Sequence, residues 1–434
     1  MRIVPPAGPA RPLAVAQLTD SIGLGGYLVC SALYFTRIVG LSPTQVGFGL
    51  TLGWAIAFVV AVPLGHLADR RGPRGVAMVL ALCTAAALLL FLAVRSFVPF
   101  VLVACVYSSA ISGLNAARQA LLAGLVTAAD RTKVRAALAA AINGGIAIGA
   151  GLGGLALQFD TATAYLTVFV VDAVSFVVSA LVLLRLPVVA PTPAGAKGEP
   201  RLAVLRDRPY ALVALLNMVL QLHIPMITLA IPLWVVERTS APGWTVSALL
   251  VLNTVTIVLC QVTVANRVTG LTSAVRHLRY AGVTLLAACA VFATSGFGAP
   301  AWLAVAILLL AATLQAGAEM LQASGSWEIS FGLAPEGRHG QYQGFFGSGF
   351  TVARMLGPLL VTTLVLGWGT AGWLLLGAVF VAAGIAMGPA VRWAAHTRPS
   401  VASPAPEHRE SRVETHRVVG SCGPEVHEPA TRGP

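Results

Sequence analysis

Few ionisable side chains interrupt the apolar runs of this chain, and those few are where chemistry could occur. Asp20 (LTDSIGLGGYL), Asp172 (FVVDAVSF), Glu319 (QAGAEMLQASG), Arg354 and His223 each stand among apolar or small residues. An ionisable group in such surroundings costs several kcal/mol and marks a functional candidate by default. Asp20 suits a carboxylate that exchanges a proton or cation in a cavity; an interfacial carboxylate paired with a loop arginine is the alternative. Asp172 suits the same coupling or substrate role, or a purely structural one. Gln315, Glu319 and Gln322 recur at spacings of 4, 3 and 7 and so share one helix face. That face reads as the polar lining of a water-filled cavity, or as a contact between bundles. Arg354 could hold an anionic group or complete an ion pair. Histidine is the side chain suited to charge change near neutral pH, so His223 is a functional candidate, with a merely hydrogen-bonded histidine as the alternative. No Cys/His ligand spacing, metal site or cofactor motif is evident, and no G-x-x-x-x-G-K-[ST] nucleotide loop occurs.

The elements that must position these residues follow from composition. Of 434 residues, 57% are hydrophobic and 10% charged, and the mean hydropathy is +0.83. Soluble domains carry roughly 25% charged residues. Apolar stretches of about 20 residues cross the hydrocarbon as helices. Such stretches lie at about 14–38, 45–66, 75–94, 98–123, 137–158, 163–185, 210–236, 245–266, 278–296, 301–324, 343–367 and 371–392. The expected fold is all-α: a polytopic membrane protein of twelve transmembrane helices. From helix starts at 14 and 163, Asp20 and Asp172 lie about 9 Å and about 14 Å deep. The first helix reads as its own insertion signal.

The net charge of +12 follows membrane topology rather than a nucleic-acid partner. With the N-terminus inside, all Lys and Arg face the cytoplasm except Arg37, Arg95 and Arg238 outside and Arg118 and Arg354 within helices. This is the positive-inside pattern, and it predicts both termini in the cytoplasm of a cell (inner or plasma) membrane. The six cysteines read as small buried hydrophobes. Arginine far outnumbers lysine, a bias of GC-rich and hence bacterial genomes.

The spans divide into a cytoplasmic N-terminus (1–13), a six-helix bundle (14–187), a cytoplasmic linker (188–209), a second six-helix bundle (210–395) and a polar, Pro-rich tail (396–434) expected to be disordered. The halves echo each other: residues 129–154 and 334–360 both run from charged residues into small ones, aligning Gly149-Ala150 with Gly357-Pro358. A parallel repeat of this kind places a substrate site near the midplane between halves. Gly145, Gly149, Gly153 and Gly154, with Gly357 and Pro358, are the expected helix-packing positions.

Between the second and third helices stands GHLADRRGPRG. Its arginines need only topology, but Asp69 falls where a helix ends, a poor place for an anion, and Gly72 permits a tight turn. Gly65, Asp69, Arg70, Gly72 and Arg74 resemble the loop 2–3 signature of the major facilitator superfamily, Gly-x-x-x-Asp-Arg-x-Gly-x-Arg. The resemblance spans about residues 14–392 and is nearest in pattern to drug and small-molecule exporters of the twelve-helix type. It implies two bundles rocking about a central cavity. It also implies that Asp69 meets the helix starting around Gln341–Gly347 to close the cytoplasmic side, with Asp130 as a further partner for Arg74. The antiporter pattern is incomplete: Ser109 and Gly113 stand near the expected fourth-helix arginine, Arg118 lies further toward the cytoplasm, and GIAIGAGLGG lacks the proline of the antiporter motif. The implied activity is non-enzymatic: proton-coupled export of a small hydrophobic or amphipathic molecule by a monomer in the lipid bilayer. A nutrient importer or facilitator of the same fold is the alternative, and a membrane receptor or enzyme the remote one.

Overall fold

The computed structural model describes residues 8, 10–159, 161–191 and 202–397. Among them there are helices and turns but no strand. The first part comprises α1 (Ala10–Leu33), continued to Ile38 by a π-turn, α2 (Pro43–Arg71), α3 (Pro73–Ala93), α4 (Phe97–Leu125), α5 (Ala128–Phe159) and α6 (Ala162–Leu183). The second comprises α7 (Arg208–Leu220), α8 (His223–Pro225), α9 (Ile231–Arg238), α10 (Trp244–Ala265), α11 (Leu271–Thr294), α12 (Ala301–Gly332), α13 (His339–Val361) and α14 (Thr370–His396). Local chemistry sets the boundaries. The Ser42 hydroxyl accepts from the Gln45 N–H at 3.2 Å while Gln45 accepts from the Ser42 N–H at 2.9 Å, a capping box completed by Pro43. Gly72, at φ 92°, turns the chain between α2 and α3.

Ten of the described helices are long and apolar enough to cross a membrane. Their outer flanks leave large apolar side chains exposed, Val59 at 68% and Leu102 at 63% among them. A surface of that kind needs lipid as its solvent, so the chain is an all-α polytopic membrane protein. The seventh and eleventh expected spans are the two that differ. The seventh is divided into α7, α8, a π-turn over Met226–Ala230 and α9, with Pro225 and Pro232 in the broken region. Proline removes a backbone donor and crowds the preceding turn. The eleventh opens on a polar run, HGQYQG, and α13 passes into a π-turn at Thr362–Gly367.

Several helices run past their apolar stretches. α5 begins at Ala128 and α12 continues to Gly332, so Arg131, Arg135, Trp327 and Glu328 lie on helices rather than in loops. α11 starts at Leu271 because Ser273 Oγ accepts from the N–H groups of Thr269 (2.8 Å) and Gly270 (3.1 Å). Hydropathy marks where lipid ends, whereas caps mark where the helix ends.

In the first part α1 packs on α5 and α6, α2 on α4, and α3 on α4 and α6. In the second, α7 packs on α13 and α14, α10 on α12, and α11 on α12 and α14. Counted along each part in order of helical segments, the same pairings recur. One apolar core draws almost wholly on residues up to 186 and a second almost wholly on residues from 204 onward. α2–α13, α5–α10, α4–α13 and α5–α12 join the parts.

The α1–α5 seam is built on glycine. A Cβ at Gly145 would press on Leu18 O and Ser21, one at Gly149 would overlap Ile22 O, and one at Gly153 would reach Gly26 Cα at 3.0 Å. Spaced by four, the three lie on one face and let backbones meet. Gly154, expected in the same role, faces open space; it is one residue, about 100°, around the helix from that face. Gly357 lies against the ring of Pro225. The side chains of Arg354 and Pro358, most of the 188–209 linker core (192–201) and the tail beyond 397 lie outside the described residues.

Candidate functional site

Three polar clusters stand inside the helical mass, and the first joins the two parts of the chain. The first N–H groups of any helix lack intrahelical acceptors and carry the positive end of its dipole. At the start of α13 this need is met by Asp69, which ends α2: its carboxylate accepts from Gly340 N at 2.7 Å and Gln341 N at 3.0 Å. Asp69 is only 7% exposed, and the guanidinium groups of Arg338 and Arg70 add positive potential there. The approach depends on missing side chains. A Cβ on Gly65 would overlap Gly340 O, and one on Gly344 would reach Ala61 O at 2.6 Å.

Neighbouring contacts fall at the same end. Thr132 on α5 donates to Glu328 on α12 at 2.5 Å, and the Arg135 guanidinium lies 5.4 Å from the Trp327 ring centre, within cation–π range. Tyr342 donates to Asp207 at 2.9 Å, and Asp207 also caps α7 by accepting from Tyr210 N at 3.0 Å. Arg74 does not pair with Asp130. Its Nη2 donates to the Leu184 carbonyl at 2.5 Å, while Asp130 accepts from Thr127 at 2.9 Å and pairs with Lys133 at 3.5 Å. Asp130 is thus held within its own turn, and Arg74 at the end of α6.

The second cluster lies within α1, α4 and α6. Asp20, ten residues and about 15 Å into α1, forms a buried ion pair with Arg118 of α4. Ser179 of α6 accepts from Arg118 at 2.7 Å and donates to Asp20 at 3.3 Å. The cation is therefore intramembrane rather than the loop arginine of the alternative reading. Asp172 sits nearby at 0% exposure, its backbone carbonyl accepting from Ser175 at 2.7 Å. Its Oδ2 has no hydrogen-bond partner among the described residues. Gly23 makes room for it: a Cβ there would overlap Asp172 and Ser175.

The third cluster divides the expected polar face of α12. Gln315 and Glu319 both meet Asn253 of α10, which donates at 3.3 Å and 3.1 Å respectively. Gln322 turns instead to α7, donating to Asn217 at 2.9 Å, and Ser326 donates to the same Asn217 oxygen at 2.5 Å. Gln315 and Gln322 are buried, whereas Glu319 is half-exposed. His223 is buried with Nδ1 2.8 Å from Leu220 O. Sequence reasoning passed over Arg118 as the partner of Asp20, and Thr132, Arg135, Asn253 and Asp207 altogether. An arginine and an aspartate on separate spans offered a signal for the first. The others are ordinary polar residues until the helices are docked. Among the described residues no group of three His, Cys, Asp or Glu is arranged to hold a metal ion.

Residues 13–326 match the family model described as Major Facilitator Superfamily. No curated protein matches the chain. Among solved structures, a bacterial homologue of the iron transporter ferroportin in an outward-facing state superposes with a TM-score of 0.70 at 18% identity, covering 91% of this chain and 100% of that one. The human organic anion transporter MFSD10 (TETRAN) gives 0.67 at 16% identity, covering 87% and 98%. The Escherichia coli fucose:proton symporter gives 0.66 at 14% identity, covering 89% and 98%. At such identities the likeness is one of fold.

Proposed function

The chain belongs to the major facilitator superfamily, and from that premise we propose that it is a secondary active exporter, exchanging protons for a small hydrophobic or amphipathic molecule by alternating access. Its embedding in the membrane and its kinship with transporters rather than enzymes are the frame; coupling, direction and cargo are the proposal. The reading takes twelve transmembrane helices in two bundles, 14–187 and 210–395, joined by a cytoplasmic linker and followed by a cytoplasmic tail. The recurrence of helix pairings between the two parts supports it. Positive-inside charge puts the Asp69 end in the cytoplasm.

The observation that carries the proposal is the Asp69 cap on α13. It joins the two bundles at one end only through groups that can separate without unfolding either helix. With Thr132–Glu328 and Arg135–Trp327 beside it, it acts as a latch that holds the cytoplasmic side shut, leaving the cavity facing outward. Asp20, Arg118 and Asp172 form the coupling centre, in which a proton taken up by a buried carboxylate re-divides the charge around Arg118. Glu319, half-exposed beside Asn253, lines the path of the cargo.

The test is uptake of an amphipathic fluorescent dye into everted membrane vesicles containing the full chain. Accumulation should follow an imposed proton gradient and vanish with a protonophore. Equal movement after the gradient is collapsed would overturn proton coupling and leave a facilitator of the same fold.

A further inference from the structure

At the Asp69 end, on the flank away from the latch, α11 and α14 diverge over a groove of about 490 Å³. Matching stripes line it: Thr272, Val275, Arg276 and Arg279 from α11, Gly388, Val391 and Arg392 from α14. The three arginines are exposed. Neither helix carries an acidic residue, so nothing on the groove walls neutralises them. Its floor is apolar and depends on Gly388, where a Cβ would crowd the Arg279 guanidinium at 2.5 Å.

The surroundings identify the depth. Tyr280 and Trp393, each adjacent in sequence to a groove arginine, are exposed at 56% and 47%. Aromatic residues of that kind sit at the headgroup level of a bilayer. Further into the membrane, Val283, one turn beyond Arg279, and Ile385, about two turns beyond Arg392, are exposed on the same two helices, offering an apolar track below the charge. A soluble anion would use the arginines and leave the track idle. A basic pocket between membrane helices suits the headgroup of an acidic lipid.

We propose that the α11–α14 groove binds an anionic phospholipid, its phosphate held by Arg276, Arg279 and Arg392 and its acyl chains lying along Val275, Val283 and Ile385. The charge complementarity is one-sided and the apolar track is continuous with the bilayer, so the occupant is a lipid rather than a protein. A second basic groove of about 280 Å³ by Arg71 and Arg74 differs in that Arg74 is already engaged by the Leu184 carbonyl. Among the described residues no side-chain hydrogen bond or ion pair engages Arg276, Arg279 or Arg392 in the α11–α14 groove.

The experiment is native mass spectrometry of the purified full chain in detergent with added phosphatidylglycerol, phosphatidylcholine or inorganic phosphate. The wild type should retain phosphatidylglycerol over phosphatidylcholine. Each arginine near an anionic lipid contributes about five-fold, so Arg279→Gln with Arg392→Gln should weaken retention on the order of twenty-fold. Both side chains are exposed, so the fold is kept. Gly388→Leu occupies the groove and pushes on the Arg279 guanidinium that lies over Gly388, so it should also lower retention with the formal charge unchanged, whereas Arg185→Gln on an exposed turn should not. Equal retention of the two lipids, unchanged retention in both groove variants, or displacement of phosphatidylglycerol by equimolar inorganic phosphate would each overturn the assignment.

Discussion

Gly65 and Gly340 approach so closely that a Cβ atom on either would overlap the carbonyl oxygen of the other. The obstacle is backbone on both sides, which cannot swing away as a flexible side chain could. Gly65→Ala should therefore weaken closure of the latch and raise the share of molecules open at that end. Gly75, just beyond the same turn, faces open space, and Gly75→Ala should change nothing. Thiol labelling of a cysteine placed in the cytoplasmic half of the cavity reads the difference; equal labelling of the two variants would refute the close-approach account.

Asp69→Asn keeps the shape of the cap but removes the anion from the positive end of α13. An anion at a helix N-terminus contributes about 0.3–1 kcal/mol exposed and up to ~2 kcal/mol partly buried. Here the larger figure applies, because two N–H groups converge on a carboxylate that is largely buried. The open-to-closed ratio should rise by more than about ten-fold, measured by spin-label distances between α2 and α13. An unchanged distribution would remove Asp69 from the latch.

Arg118→Leu leaves Asp20 buried without its cation, which costs about 3–5 kcal/mol. The paired variant Asp20→Asn with Arg118→Leu removes both charges, and its cost should fall well below the sum of Asp20→Asn and Arg118→Leu made singly, since residues in contact are not additive. Thermal unfolding in detergent makes the comparison. Additive losses would mean that the two residues act apart.

Asp172→Asn should fold normally, because the replaced Oδ2 makes no hydrogen bond among the described residues and the amide has the same shape. Gradient-driven dye accumulation should be lost while exchange of dye across the membrane at equal pH continues. Intact accumulation would assign proton uptake to another group.

Gly149→Leu would force a branched side chain into the carbonyl of Ile22, at an overpacking cost of about 1–3 kcal/mol or more. Gly154→Leu, facing open space, should lie within about ±0.5 kcal/mol of the wild type. The two residues differ by five positions on one helix, so unfolding midpoints that move together would contradict the α1–α5 seam.

Much of the architecture was legible in the chain itself. Long apolar runs admit only membrane helices, because every backbone polar group must be satisfied within the segment. Their number and order along the chain could be read directly, apart from the seventh and eleventh segments, where prolines and polar turns break the pattern. For GHLADRRGPRG, an aspartate at a helix end called for another helix's N–H groups or an arginine; that its partner is the start of a distant helix came from the resemblance, and the structure has Asp69 accepting from Gly340 N and Gln341 N. The α5 glycines stood out by their partial likeness to the antiporter motif and by the repeat; the structure puts Gly145, Gly149 and Gly153 in the seam and leaves Gly154 facing open space.

Tertiary structure decided the partners. Gln315, Glu319 and Gln322 share a stripe in projection, yet Asn253 takes the first two and Asn217 the third, because α12 meets two different helices along its length. Arg118 became the counter-ion of Asp20, and Arg74 settled on the Leu184 carbonyl rather than on Asp130. Helical periodicity dictates which face a residue occupies. Which helix stands opposite is set by contacts between residues 62 to 110 positions apart, where a few ångströms of docking choose among several acceptable hydrogen-bond partners.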